Sequence, residues 1–104
     1  MQRVCFQMEL IPGREAEYQR RHDEIWPELV AELRSAGVRN YTLFRLDTTV
    51  IAYAECHPDA ATAFGKVAST EVDARWTRWF SDVLVCDAQG AVARAEAAEV
   101  WHLE

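Results

Sequence analysis

Apolar and polar residues alternate in the first structured stretch of the chain, residues 3–11. This period of two predicts a β-strand with two unlike faces. Pro12 and Gly13 close the strand, and apolar residues then recur every three or four positions, which predicts a helix over residues 14–35. Because proline disfavours helical geometry in the residue before it, we expect a break in this helix at Trp26-Pro27. Gly37 is a natural stop for the helix.

The rest of the chain predicts three more strands and a second helical region. Residues 38–46 and 49–56 are rich in β-branched and aromatic side chains and are joined by a short link, which predicts an antiparallel hairpin. Residues 59–68 and 71–84 follow as one helix or two, with Ser69 and Thr70 as candidate N-caps for the second. A loop over residues 86–93 leads to a last alternating stretch, residues 95–103, which predicts the fourth strand.

This order of elements predicts an α+β fold of the ferredoxin-like βαββαβ type. The 104 residues fit a single domain, residues 1–104, and show no internal repeat. Helices on one side cover only one face of a four-stranded sheet. The other face of the third strand also carries apolar residues, Ile51 and Tyr53, so we expect a second copy of the chain to cover it in a homodimer joined sheet to sheet.

Composition and charge argue against several classes of function. A formal net charge of −6 argues against a nucleic-acid binder, and the basic pair Arg20-Arg21 is bracketed by acidic residues, which indicates a solvated helix face. No apolar run approaches the roughly 20 residues of a membrane span, and the N-terminus lacks a signal-peptide core. We therefore expect a cytoplasmic protein. Its three cysteines lack metal or redox-motif spacing and are expected to be reduced and of minor structural importance.

Candidate chemistry lies in the run EYQRRHDEIWPEL, residues 17–29. Tyr18, His22 and Trp26 are four residues apart, so on a helix they would share one face. An imidazole between aromatic rings fits either packing or general acid–base catalysis, because its ordinary pKa is close to neutrality. A second cluster, around Trp76 and Trp79, fits either core packing or a sugar-binding wall. The chain has no histidine pair or acidic cluster with metal spacing and no glycine-rich phosphate loop, so we expect neither a metal nor a cofactor.

The run EYQRRHDEIWPEL, together with Asn40-Tyr41 and VASTEVDARW, resembles the L-rhamnose mutarotases, and the resemblance extends over essentially the whole chain. Members of that family are cofactor-free homodimers of the dimeric α/β-barrel type that interconvert the α and β anomers of a 6-deoxy sugar. The resemblance implies that His22 is the proton donor. It also implies that Tyr18 and Tyr41 contact the sugar hydroxyls and that Trp76 is a wall of the pocket.

Two departures from the family pattern affect the expected site. Thr77 stands where the family typically has a second tryptophan, so this substrate-binding position keeps a hydroxyl and loses a ring, which leaves the preferred sugar open. Trp79, a turn onward, is expected to fill part of the space. Asp23-Glu24 replaces the usual Asn-Pro after the histidine, and the added charge is expected to raise the pKa of His22.

The sequence therefore predicts an isomerase, a mutarotase of L-rhamnose or a related 6-deoxy sugar. Anomerisation already proceeds unaided in water, and one general acid–base group, worth typically about 10²–10⁴-fold, needs no metal or strong nucleophile beside it. Two other functions stay open on the same fold. One is a non-catalytic sugar-binding dimer, and the other is a cofactor-independent monooxygenase of an aromatic substrate.

Overall fold

The computed structural model of the protein describes residues 1–104 and contains four strands and four α-helices. The strands are β1 (Gln2–Glu9), β2 (Val38–Leu46), β3 (Thr49–Cys56) and β4 (Ala95–Ala97). The helices are α1 (Glu15–Asp23), α2 (Pro27–Ala36), α3 (Ala60–Ala68) and α4 (Glu71–Trp79), and a turn of 3₁₀-helix, Phe80–Asp82, continues α4. The predicted order of elements is confirmed, with both helical regions divided in two.

The four strands form one antiparallel sheet in the order β2-β3-β1-β4. The first and third strands pair along their whole length, from Gln2 opposite Cys56 to Glu9 opposite Thr49. The two outer strands are therefore the second and the fourth, which is the arrangement of the ferredoxin-like fold. The predicted α+β, ferredoxin-like class is confirmed.

The alternation of the strands places one set of side chains against the helices. Phe6 and Met8 of β1 and Val50 and Ala52 of β3 are buried there, and they pack with Phe80 at the end of α4. Because side chains alternate across a strand, the odd-numbered residues of β1 and β3 lie on the opposite face. The helices thus cover one face of the sheet, and the cavity described below lies on this covered side.

The predicted helix break is confirmed. The first helix ends at Asp23 and the next begins at Pro27, while Trp26 between them has extended backbone geometry (φ −66°, ψ 126°). Proline is well placed at a first helical position, where its missing N–H has no partner in any case. The break turns Trp26 towards α4, where its ring centroid lies 5.0 Å from that of Trp76.

Gly37 ends α2 in the left-handed region, with φ 103°. Its amide hydrogen bonds to the carbonyl of Arg34, and its own carbonyl accepts the amide of His57 at 2.9 Å. A Cβ at this position would overlap the carbonyl oxygen of His57. The helix stop that the sequence predicts is therefore confirmed, and here glycine is required both by the backbone conformation and by the close approach of a second segment.

The predicted fourth strand is wrong over most of its length. Only Ala95–Ala97 pairs with β1, opposite residues 5–7, and residues 98–104 have no regular secondary structure. Alternating sequence makes a strand only where a neighbouring strand offers partners, and the tail has none within the chain. Val100, Trp101 and Leu103 in the tail are 94%, 77% and 74% exposed.

The uncovered face of the sheet carries several apolar side chains. Ile51 and Tyr53 of β3 are half-buried there, and the neighbouring strand contributes Phe44 and Leu46, which are 59% and 68% exposed. None of the four helices combines the length and the apolar character that crossing a membrane requires.

Candidate active site

A cavity of about 690 Å³ lies between the helices and the covered face of the sheet. Its walls come mainly from α1, α2, α4 and β2, and most of the residues that line it are hydrophobic. All five residues predicted for the site line this one cavity: Tyr18, His22, Tyr41, Trp76 and Thr77. The structure therefore brings together residues that are spread over 60 positions of the sequence.

His22 lies in the last turn of α1, surrounded by aromatic rings. Its centroid is 4.4 Å from that of Tyr18, 5.4 Å from that of Trp76 and 5.2 Å from that of Phe80. The Nδ1 atom lies 3.0 Å from the carbonyl oxygen of Tyr18. Because a carbonyl can only accept, Nδ1 carries the proton in this contact. In the neutral ring the lone pair is therefore on Nε2, which has no hydrogen-bond partner in the chain.

The pKa of His22 is lowered from its ordinary value, and burial is the main cause. The Tyr18 carbonyl and the carboxylate of Asp23 act in the opposite direction but are outweighed. The predicted increase is therefore wrong in its net sign, although the contribution of Asp23 has the expected direction. Burial prevails because the imidazolium loses hydration among aromatic rings that cannot replace it. The neutral imidazole is thus favoured near neutral pH.

Tyr18 and Tyr41 present phenol groups that stay protonated. Burial raises the pKa of Tyr18, which is only 7% exposed, and it raises the pKa of Tyr41 as well. Both hydroxyls can therefore donate hydrogen bonds to a ligand in the cavity, and neither is suited to remove a proton at neutral pH. Of the side chains of Tyr18, Tyr41 and His22, that of His22 is the one suited to exchange a proton near neutral pH.

Trp79 does not fill the space beside Thr77, so that prediction is wrong. Trp76 and Thr77 line the cavity, whereas Trp79 is turned away from it and stacks on Trp26 at 5.4 Å, with the two ring planes 7° apart. Trp79 is two residues after Thr77, which is about 200° around the helix, so the two side chains lie on nearly opposite sides of it. Phe80, directly after the helix, packs in the core and is 1% exposed.

Arg21 is buried, which corrects the prediction of a solvated basic pair. Its side chain is 5% exposed, whereas that of Arg20 is 52% exposed. The guanidinium donates to Glu17 at 2.6 Å, to the carbonyl of Trp79 at 2.7 Å and to Asp82 at 3.0 Å, and it lies 4.5 Å from the Trp79 ring. These contacts hold α1, and with it the adjacent His22, against the end of α4.

Several polar residues of the cavity wall were not among the predicted site residues, and two of them, Asp73 and Arg94, lie close enough for their charges to interact. Asp73 lies three and four positions before Trp76 and Thr77 on α4, a helical spacing that could have identified it. Arg94 follows the loop after α4, and its guanidinium lies 4.8 Å from the ring of Phe6. No sequence signal indicated Arg94, because its place depends on how that loop returns to the sheet. Nowhere do three or more histidine, cysteine or acidic side chains gather closely enough to hold a metal ion.

Comparison with known proteins gives a consistent result over the full length. The sequence profile of the L-rhamnose mutarotase family matches residues 3–103. The chain is 36% identical to the L-rhamnose mutarotase of Burkholderia orbicola strain MC0-3 over 104 residues, which is 100% of both chains. It is also 36% identical to the L-rhamnose mutarotase of Escherichia coli O1:K1 over 103 residues, 99% of each.

Solved structures show the same relationship. The crystal structure of L-rhamnose mutarotase from Formosa agariphila superposes with a TM-score of 0.87 at 26% identity, and the match covers 100% of both chains. Tetracenomycin F2 cyclase from Streptomyces glaucescens superposes over 100% of both chains with a TM-score of 0.62 at 21% identity, a likeness of fold alone. The chain therefore belongs to the L-rhamnose mutarotase family, a family of isomerases that interconvert the anomers of rhamnose.

Proposed function

We propose that this protein interconverts the α and β anomers of L-rhamnose or a related 6-deoxy sugar in the cavity lined by His22. One observation carries the assignment of the catalytic group: a half-buried imidazole whose Nδ1 is held by the Tyr18 carbonyl at 3.0 Å and whose Nε2 has no partner in the chain. Membership of the mutarotase family supports the same reaction. The two alternatives, a non-catalytic sugar-binding dimer and a monooxygenase, find no support among the relatives.

The proposed reaction moves one proton between two oxygens of the same carbon. Nε2 of neutral His22 accepts the proton of the anomeric hydroxyl. The imidazolium then delivers a proton to the ring oxygen as the bond from that oxygen to the anomeric carbon breaks, giving the open aldehyde. Rotation about one bond and the reverse steps close the ring as the other anomer. His22 is thus the proton donor to the ring oxygen, and it ends each cycle in its starting state.

The other predicted residues would bind and orient the sugar. The phenols of Tyr18 and Tyr41 remain protonated and would donate hydrogen bonds to sugar oxygens. Trp76 presents an indole to the cavity, a surface suited to the apolar C–H groups of a sugar ring. Thr77 would contribute a hydroxyl from the same helix. Orientation matters because one imidazole must reach both oxygens of the anomeric carbon.

Anomer exchange measured by saturation-transfer NMR on L-rhamnose tests this function. We expect wild-type protein to accelerate exchange and His22→Ala to lose about 100-fold or more of the acceleration, within the range of general acid–base catalysis. His57→Ala is a matched control, since it removes an exposed imidazole outside the cavity. Full activity in His22→Ala would refute the assignment of the proton carrier, and no acceleration by the wild type would refute the mutarotase function.

We also infer a homodimer and a cytoplasmic location. The uncovered sheet face with Ile51, Tyr53, Phe44 and Leu46 would be shielded from water by a second copy, which would give the dimeric α/β-barrel arrangement. The three cysteines are unpaired, and thiols persist in a reducing compartment. Cell fractionation tests the location, and the dimer is tested below.

A further inference from the structure

Two polar side chains on α4 form one patch of the mostly apolar cavity wall. Asp73 and Thr77 are four residues apart, so their side chains are neighbours on one face of the helix. Both are half-buried and both line the same cavity as His22 and Tyr41. A carboxylate and a hydroxyl side by side in such a wall call for a physical explanation, because burying polar groups without partners costs free energy.

The side chain of Asp73 forms no hydrogen bond within the chain, and neither does that of Thr77. The Asp73 amide donates to the Thr70 hydroxyl at 3.2 Å, but the Asp73 carboxylate accepts no hydrogen bond and forms no ion pair. Other acidic residues are used differently: the carboxylates of Glu17 and Asp82 both bind arginines. No buried side-chain atom lacks a partner, so the free oxygens of Asp73 are accessible from the cavity.

The surroundings of Asp73 penalise its charge. Burial raises the pKa of its carboxyl group, and the charge of Arg94 offsets this only in part. Arg94 is itself exposed and lies over Phe6, so it does not close the patch. A carboxylate that costs stability and makes no bond inside the chain is typical of a group kept for a ligand.

We propose that Asp73 and Thr77 form a subsite for sugar hydroxyls, in which the carboxylate accepts a hydrogen bond from one hydroxyl and Thr77 binds its neighbour. The inference rests on the proposed function, because it assigns specificity within the same cavity. A hydroxyl of the ligand is the group that Asp73 lacks, since it donates a proton to the carboxylate without adding charge. The patch therefore selects for hydroxyl groups on the side of the sugar that faces α4.

Substitutions of Asp73 test the subsite by separating KM from kcat. With L-rhamnose, we expect Asp73→Ala to raise KM about 10-fold or more, the loss expected for a hydrogen bond to a charged group. Asp73→Asn keeps an acceptor and should lose less. Thr77→Val, which keeps the shape and removes the hydroxyl, should raise KM by a smaller factor. Glu71→Gln is the matched control: it also removes an acidic charge from α4, but its side chain is exposed and does not line the cavity.

Thermal unfolding distinguishes a ligand-binding carboxylate from a structural one. Because the charge of Asp73 is penalised in the fold, Asp73→Asn should raise Tm while it weakens sugar binding. A lower Tm together with unchanged KM would show a structural role and would overturn the proposal. Monodeoxy analogues of L-rhamnose identify the hydroxyl: for the analogue that lacks it, wild type and Asp73→Ala should have similar KM.

Equilibrium binding of L-rhamnose, monitored by tryptophan fluorescence, tests the subsite independently of catalysis. If wild type binds L-rhamnose without accelerating exchange, the mutarotase function fails, while a Kd raised in Asp73→Ala would still support the subsite. If Asp73→Ala has the same KM and Kd as the wild type for every sugar, the subsite is refuted while the mutarotase stands. If the wild type binds no sugar of this class, both proposals fall.

Discussion

The imidazole of His22 is poorly hydrated because aromatic rings surround it, and the nearby charge of Asp23 compensates for this loss only in part. The pKa of His22 is lowered as a result, with burial as the largest contribution. The lowered pKa suits the proposed role of His22, because the neutral ring with a free Nε2 is the form that would accept the anomeric proton. The same burial keeps the neighbouring phenol of Tyr18 protonated. The same buried environment thus favours a proton acceptor at His22 and a hydrogen-bond donor at Tyr18.

This balance predicts the pH dependence of catalysis. Because the pKa of His22 lies below the ordinary histidine value of about 6.5, the neutral form of the ring dominates at neutral pH. This form, which the proposed mechanism requires, is lost as the pH falls through the pKa of His22. The rate of anomer exchange above the buffer background should therefore rise with pH and then level off, with its inflection below the ordinary histidine pKa of about 6.5. Asp23→Asn should move the inflection to still lower pH, because Asp23 raises the pKa of His22. Asp47→Asn, on a distant turn, is the control.

An inflection well above the ordinary histidine value would contradict the dominance of burial at this site. An unchanged inflection in Asp23→Asn would show that its carboxylate does not act on the ring. Both outcomes can be read from one series of pH–rate profiles, which makes the sign of each contribution measurable.

At the residue scale, the sequence predicts which side chains line the cavity better than it predicts their energetics. Tyr18 and His22 follow from a four-residue spacing on one helix. The net sign of the pKa of His22 depends on rings from α4, more than 50 positions away in the chain. The burial of Arg21 likewise depends on Asp82. Contacts of this kind are set by tertiary packing, which local patterns do not contain.

At the element scale, α1 carries His22, the proposed proton carrier, and the position of this helix depends on Arg21. This guanidinium binds the Trp79 carbonyl and Asp82 at the end of α4 while it also binds Glu17 on its own helix. A buried charge is tolerated only when its donors are satisfied, and here three groups satisfy them. The contacts therefore join the two helices that carry His22 and Trp76, whose ring centroids lie 5.4 Å apart in the cavity wall.

Arg21→Ala should lower the free energy of unfolding by about 2 kcal/mol, because it removes a buried, hydrogen-bonded side chain that also packs on an indole. Arg20→Ala is a close control: it loses a bond to the same Glu17, but from an exposed position, and should leave stability unchanged within error. Urea denaturation measures both variants. Equal effects of the two substitutions would show that burial does not distinguish these neighbouring arginines.

Most elements were predictable because their patterns are local. Alternation identified β1, β-branched and aromatic residues identified the hairpin of β2 and β3, and Pro27 identified the helix break. Thr70 was a candidate N-cap, and its hydroxyl accepts the Asp73 amide at 3.2 Å. The fourth strand failed beyond Ala97 for a different reason. A strand needs a partner as well as a pattern, and β1 pairs with β4 only at residues 5–7.

At the scale of the whole molecule, the helices and the sheet leave two apolar surfaces without cover. One is the sheet face with Ile51 and Phe44, and the other is the tail, whose Val100 and Trp101 are 94% and 77% exposed. Exposed apolar side chains in this number are unusual on an isolated small domain. The predicted family is confirmed by matches along the entire chain. The proposed homodimer, joined sheet to sheet, would cover the open face.

Sedimentation of the wild type and of face variants tests the dimer. We expect the wild type to sediment with twice the chain mass of 11.9 kDa at micromolar concentrations. Ile51→Glu places a charge at the centre of the open face and should shift the protein to the monomer, because a buried unpaired carboxylate costs several kcal/mol. Ala61→Glu adds the same charge on the exposed surface of α3 and should remain dimeric. Circular dichroism would check that each variant is folded. A wild type that sediments at 11.9 kDa, or a folded Ile51→Glu that stays dimeric, would exclude this face as the interface.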